Sequence, residues 1–270
     1  MIDCHCHLAD SEFDEDLDEV VARAKDAGVK ACLVVTEHLN EFDKTLDIAE
    51  RFPGFLIPCA GVHPVQCDKM EGETIWRSAG HSDLDEVEQW VDQNHSKLAA
   101  IGEIGLDYTP RYIRTPSDTK TQDEVFSKQI EIANRYDLPV NVHSRSAGKH
   151  VIDCLIRNGA TKVLLHAFSG NYKSAAAGIA AGYFFSVPPS SSLSQQKVSL
   201  FEKIPLEQIL LETDSPVLGP VKDARNEPAN IRVSVEFLAK LKKVDPEVVI
   251  KQTRENALKL FPKLVHFLKM

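Results

Sequence analysis

Short apolar runs alternate with amphipathic stretches along nearly the whole chain. Residues 1–7 read as an extended segment whose side chains change face with a period of two. Asp3, His5 and His7 then share one face, and Ile2, Cys4 and Cys6 the other. An acidic run from Asp10 to Asp18 leads into Leu17, Val20, Val21 and Ala24 at helical spacing. The acids favour a helix start and Gly28 marks its end. Further strands are predicted at 29–36, 55–62, 98–104, 138–143, 162–167, 183–187 and 208–213. Helices are predicted between them, at about 41–51, 83–94, 122–136, 147–157 and 172–181, with a short one after the Ser- and Pro-rich turn near 190. Two more, 231–242 and 246–261, close the chain. The stretch 107–121 holds Pro110, Pro116 and three basic residues, and reads as loop.

Eight β-branched apolar runs separated by helices imply parallel strands with crossover helices. Eight repeats favour an α/β fold of the (β/α)8 TIM-barrel type over an open doubly wound sheet. No internal repeat or break in composition marks a second domain, so residues 1–270 are expected to form one barrel. The long loops at 64–82 and 105–121 are expected to wall its site.

Composition narrows the class. With 43% hydrophobic and 26% charged residues, the chain suits a globular protein with a large core. No run approaches the ~20 apolar residues of a membrane span. No basic, apolar leader precedes the first strand. The six cysteines lack the spacing of a disulfide framework. Reduced thiols and an intracellular location, cytoplasmic or nuclear, are the expectation. A net charge of −9 argues against a surface that coats nucleic acid or anionic membrane, but not against a nucleic-acid enzyme with a metal-lined pocket.

The chemistry collects at the strand ends. In such barrels the site lies at the C-terminal ends of the strands. Six of the eight predicted strands end in ligand-type residues: His5 and His7; His63; Glu103 and Asp107; His143; His166; Glu212 and Asp214. A lone buried histidine is more often a satisfied core group, but so many polar groups on one rim are costly to bury unless they bind something. A structural zinc site built from Cys4, His5, Cys6 and His7 is disfavoured, because neighbours on a strand face opposite ways and no partner Cys pair lies elsewhere. Asp214 lies nearer the rim than Glu212, which suits Glu212 as a supporting partner.

The motifs resemble those of the TatD-type metal-dependent deoxyribonucleases, within the amidohydrolase-like barrels. The matching stretches are Asp3-Cys4-His5-Cys6-His7-Leu8, Gly61-Val62-His63-Pro64, Gly102-Glu103-Ile104-Gly105-Leu106-Asp107-Tyr108, Pro139-Val140-Asn141-Val142-His143-Ser144-Arg145 and His166-Ala167-Phe168-Ser169-Gly170. Leu211-Glu212-Thr213-Asp214-Ser215-Pro216, Arg225-Asn226-Glu227-Pro228 and Thr253-Arg254-Glu255-Asn256-Ala257 follow in the family's order. Within that family the chain looks most like the third animal subgroup. Departures are Ala167, Asn230-Ile231 and a longer proline-rich loop at 109–121.

The resemblance implies two divalent metal ions. His5, His7 and Asp214 would hold one and His143 and His166 the other, with Glu103 bridging. The imidazole-rich set suits Zn2+ in a crystal, with Mg2+ or Mn2+ open as the working metal. The implied reaction is hydrolysis of phosphodiester bonds in DNA by a metal-activated water, with Asp214 as general base and Glu103 and His63 completing the catalytic set. A 3′-5′ exonuclease or an abasic-site nuclease would both fit. His63, Arg145, Lys173 and Arg225 are the candidate phosphate contacts. A single-stranded end or damaged site suits a barrel mouth better than intact duplex. The alternatives are an amidohydrolase, lactonase or phosphotriesterase on the same barrel, or an inactive metal-binding scaffold. In those hydrolases a carboxylated lysine commonly bridges the metals where this chain has Glu103.

Overall fold

The computed structural model describes residues 1–70 and 73–269 of the chain. The chain starts on strand β1 (Ile2–Cys6), passes through helix α1 (Leu17–Asp26), and returns on β2 (Ala31–Val34). Helix α2 (Phe42–Arg51) leads to β3 (Leu56–Ala60). An antiparallel hairpin follows, β4 (Val65–Met70) against β5 (Glu73–Ser78), and then α3 (Val87–Asn94). The alternation resumes with β6 (Ala100–Gly105), α4 (Pro116–Arg135), β7 (Val140–His143), α5 (Gly148–Arg157), β8 (Val163–Leu165), α6 (Tyr172–Ala180) and β9 (Phe184–Val187). Helix α7 (Gln195–Phe201), strand β10 (Ile209–Leu211) and helices α8 (Ile231–Lys242), α9 (Pro246–Leu260) and α10 (Leu264–Phe267) complete the chain.

Leaving the hairpin aside, the strands form one eight-stranded parallel sheet in chain order. Its two ends nearly close into a barrel. The Asp214 N–H donates to the His5 carbonyl at 2.9 Å, and the His7 N–H to the Ser215 carbonyl at 2.7 Å. These bonds carry the end of β10 onto the end of β1, which is how Asp214 reaches the two N-terminal histidines. Alternate strand residues sort into two apolar layers. Val34, Val142, Leu165, Val187 and Leu211 pack in the larger cluster with the helices. Leu33, Ile57, Leu164 and Leu210 form a second cluster, closed by Phe261 and Leu264 from the C-terminal segment.

Two expectations about loops are corrected. The segment 64–82 contains the β4–β5 hairpin, whose register runs from Val65 opposite Ser78 to Met70 opposite Glu73. The segment 107–121 is loop only as far as Thr115. Helix α4 starts at Pro116, because a proline at the first helical position loses no intrahelical bond. Asp118 fixes that start by accepting from the backbone N–H groups of Arg114 and Thr115 at 2.7 and 2.9 Å. Elsewhere the predicted elements coincide with the observed ones within a few residues at their ends. No helix among the described residues is long and apolar enough to cross a membrane.

Candidate metal centre

The six predicted ligands converge at the strand ends; His7, Glu103, His143, His166 and Asp214 line a cavity of about 550 Å³, and His5 is fully buried beside them. His5 and His7 come from β1 and its end, and Glu103, His143, His166 and Asp214 from β6, β7 and the ends of β8 and β10; close backbone packing sets their positions. Gly102, beside Glu103, lies against β7. A Cβ there would sit 2.5 Å from Asn141 Cβ and 2.9 Å from its carbonyl oxygen, so only glycine lets β6 approach so closely. Gly105 has φ +148°, and a Cβ on it would meet the His143 carbonyl. Asp214 takes a left-handed conformation, φ 57°, at the turn after β10.

Four ligand atoms make the first group. His5 Nε2 lies 3.2 Å from His7 Nε2, 3.5 Å from Glu103 Oε2 and 3.4 Å from Asp214 Oδ1. His7 Nε2 lies 3.4 Å from Glu103 Oε2 and 3.3 Å from Asp214 Oδ1. A tetrahedron with metal–ligand bonds of ~2.0–2.1 Å has edges of ~3.3–3.4 Å. The five measured edges therefore match a four-coordinate cation site.

Proton bookkeeping points the same way. Asn141 donates through Nδ2 to the Cys4 carbonyl at 2.9 Å, which turns its Oδ1 toward His5 Nδ1 at 2.8 Å. His5 must then carry its proton on Nδ1, leaving a lone pair on Nε2. That lone pair faces two carboxylate oxygens and a second imidazole nitrogen, in a fully buried position. Without a cation these acceptors repel one another. In the metal-free chain protons fill the role. Burial alone would lower the His5 and His7 pKa values, but Glu103 and Asp214 outweigh it. His5 is held well above its usual range, and His7 is raised to about 9 with Glu37 contributing. Glu103 and Asp214 are likewise held well below the usual carboxylate range, against burial, by the surrounding imidazoles.

The second group shares Glu103. Its Oε1 lies 2.7 Å from both His143 Nδ1 and His166 Nε2, and those nitrogens are 3.4 Å apart. The two carboxylate contacts are hydrogen-bond length, so this group is more contracted than the first. His143 Nε2 lies 3.2 Å from Asp107 Oδ2, which accepts its proton and leaves Nδ1 to face Glu103. Asp107 is held at about 2, its burial outweighed by this contact. His166 stacks on His5 at 3.7 Å between ring centroids, and burial next to His5 pushes it down to about 4. Its Nδ1 is buried with no hydrogen-bond partner, 3.8 Å from Glu212 Oε2.

The remaining predicted residues separate clearly. His63 lines the cavity with Nε2 3.7 Å from Glu103 Oε1. The Val65 N–H donates to its Nδ1 at 3.1 Å, so the ring proton sits on Nε2, facing inward; the Val65 carbonyl is also near, at 3.2 Å. Burial and the neighbouring His143 lower its pKa, which keeps the ring neutral. Arg145 lines the cavity and is exposed at its rim. Lys173 and Arg225 do not line it, contrary to the sequence reading. Lys173 is exposed on the first turn of α6, in a shallow depression with Tyr172 and Lys203. Arg225 is committed elsewhere: it forks onto Asp16 at 2.9 and 2.5 Å and lies over the Phe13 ring.

Asn141 and Lys197 escaped the sequence reading, and Asp107, placed there at a strand end, received no role. Asn141 and Asp107 orient two imidazoles, and Asn141 carried a signal, being two positions before His143 on the same strand face. Lys197 lines the cavity and donates to the Ala167 and Phe168 carbonyls, both at 2.6 Å. Burial lowers it to about 8. No pattern in its Ser-rich surroundings marks it. Asp3 shares a predicted face with His5 but binds Thr213 instead, through N–H at 3.0 Å and Oγ1 at 2.5 Å. Glu212 takes the supporting place expected of it. It accepts from the Ala167 N–H at 2.9 Å and from Ser186 Oγ at 2.5 Å, and burial pushes it up to about 8. The Arg225-Asn226-Glu227 motif is structural: Asn226 Nδ2 donates to the Thr213 and Val217 carbonyls, both at 2.8 Å, and so pins the turn that carries Asp214.

Known proteins share this whole architecture. The family described as TatD related DNase matches residues 2–262. The human protein called Deoxyribonuclease TATDN3 is 50% identical over 269 residues, covering 100% of this chain and 97% of its own length. The 3'-5' ssDNA/RNA exonuclease TatD of Erwinia billingiae is 32% identical, with 97% of this chain and 98% of its own covered. Among solved structures, the TatD homologue YJJV of Escherichia coli K12 superposes with a TM-score of 0.84 at 27% identity, covering 97% of this chain and 98% of that one. By sequence and by fold, the chain belongs to the TatD-related DNase family.

Proposed function

We propose that the protein is a metal-dependent deoxyribonuclease that hydrolyses phosphodiester bonds in DNA. The observation that carries this reading is the group formed by His5, His7, Glu103 and Asp214, whose measured separations are 3.2–3.5 Å. These four residues would hold one divalent ion. His143 and His166 would hold a second, with Glu103 shared between the two. Four imidazoles among six donors favour Zn2+ over Mg2+, which prefers more oxygen ligands and water. Two bound metals would neutralise the phosphate, activate a water and stabilise the leaving alkoxide.

The protein groups divide the remaining work. Asp214 is ionised at neutral pH, and Oδ1 makes its contacts with His5 and His7. Its Oδ2 is the acceptor for the proton of the attacking water. His63 offers its Nε2–H to a phosphate oxygen, and Arg145 at the rim offers a guanidinium fork. Lys197 holds the turn after His166 and adds positive charge to the cavity wall. Asn141 and Asp107 keep the tautomers of His5 and His143 that leave ligand nitrogens free. The cavity is closed at its floor by the barrel, so a strand end or an extruded nucleotide enters more readily than intact duplex.

The test is hydrolysis of 3′-labelled single-stranded DNA by the metal-loaded protein, beside the Asp214→Ala variant. Stepwise release of nucleotides lost in the variant supports the reading and gives its polarity. Substantial cleavage by a folded Asp214→Ala protein would overturn the role of Asp214. An inert wild-type protein with two ions bound would turn the reading towards another hydrolase on this barrel.

A further inference from the structure

We propose that Trp76 is the shelf on which an unpaired nucleobase next to the cut stacks, so that the enzyme selects single-stranded DNA. This inference rests on the nuclease reading above. Trp76 is 46% exposed, yet it lines the same cavity as His63, Glu103, His143 and Asp214. An indole left open to water beside a reactive centre is an apolar face awaiting a flat partner. The chain's other tryptophan is structural: Trp90 packs against Phe42 at 4.9 Å between centroids and donates from its indole to Asp43 at 2.8 Å.

The position of Trp76 is fixed without burying its ring. On β5 its side chain points to the opposite face from Arg77. Arg77 forks onto Asp83 at 2.6 and 2.7 Å and reaches across the hairpin to Asp68 at 2.8 Å. From the other side, Arg114 Nη2 donates to the Trp76 carbonyl at 2.8 Å. The backbone is thus tied to two neighbouring segments, so little ordering is left for binding to bring about.

Charge makes such a shelf useful. A net charge of −9 works against holding a polyanion by diffuse attraction. The cationic side chains lining the cavity are Arg111, Arg145 and Lys197. Arg111 lies over the Tyr112 ring, and Lys197 spends two protons on backbone carbonyls. Stacking adds affinity without charge, tolerates any base and needs the face of that base free, which a duplex interior does not offer.

The test uses metal-loaded Asp214→Asn protein carrying Trp90→Phe, which leaves Trp76 as the sole tryptophan. Its fluorescence is titrated with a single-stranded oligonucleotide, the same length of tetrahydrofuran abasic strand, and the duplex. Quenching by the base-bearing strand alone is expected. In the otherwise native metal-loaded enzyme, Trp76→Ala should raise KM for single-stranded DNA roughly 5- to 150-fold, and Trp76→Phe should restore most of the loss. Tight binding of the base-bearing strand with no change in Trp76 emission, or an unchanged KM in Trp76→Ala, overturns the shelf while leaving the nuclease reading intact. Failure of the native enzyme to cleave or bind any DNA removes the nuclease reading, and the shelf with it.

Discussion

Replacing Asn141 with alanine removes a side chain that touches no metal, yet it should weaken metal binding. Asn141 is fully buried, and it makes two hydrogen bonds, to the Cys4 carbonyl at 2.9 Å and to His5 Nδ1 at 2.8 Å. Alanine leaves both partners buried and unpaired. Each such group costs ~1–3 kcal/mol, so the metal-free protein should lose roughly 2–6 kcal/mol of stability. The proton on His5 is no longer anchored to Nδ1, and the tautomer that offers Nε2 to the metal loses its advantage. Losing a partner of this kind costs roughly 10- to 100-fold in metal affinity. Competition with a chromophoric chelator measures that affinity, and thermal melts of the metal-free form measure the stability. A variant that melts early but binds metal within about twofold of the native value would refute the tautomer argument, since stability and affinity would then have separated.

Further expectations concern pH, packing and the two arginines. His7 and His143, each raised to about 9 in the metal-free chain, contribute stability that is complete below the ordinary histidine value and lost as pH rises through 9. Metal must displace those protons, so the metal-induced rise in Tm should grow from about pH 6.5 to 9; a pH-independent rise would contradict this. His166, lowered to about 4, acts oppositely, its contribution being present above the ordinary value and lost as pH falls towards 4. Gly102→Ala forces a Cβ to within 2.5 Å of Asn141 Cβ, and should cost at least ~1–3 kcal/mol together with metal content, read by melts and elemental analysis. Arg225→Ala should change stability by about 0–1 kcal/mol and leave KM alone, because its ion pair with Asp16 is at the surface. Arg145→Ala should raise KM for DNA by about 10-fold or more, as one charge-assisted contact is lost.

The convergence of His5, His7, Glu103, His143, His166 and Asp214 was legible because the barrel imposes a rule: chemistry gathers at strand ends, and these residues lie at or beside the ends of five short apolar runs. What stayed hidden lies where tertiary context decides. The β4–β5 hairpin breaks the strand-helix rhythm, and its polar residues, such as Gln66, Asp68 and Arg77, mask the period of two. Pro116 was read as a breaker, although its missing N–H costs nothing at a helix start. Arg225 was placed within its motif, and Lys173 lies outside every matched motif. Sequence spacing cannot reveal that Asp16, over 200 positions away, claims the Arg225 guanidinium. Lys197 reaches the cavity only because α7 folds back over the turn after His166.

The most direct measurement of the central claim is a metal titration of chelator-stripped protein, with bound ions counted by elemental analysis and cleavage of single-stranded DNA followed in the same samples. The account predicts no cleavage in the stripped protein and recovery that tracks occupancy, reaching its full value as His5, His7, Glu103, His143, His166 and Asp214 fill. Undiminished cleavage by metal-free protein would contradict it.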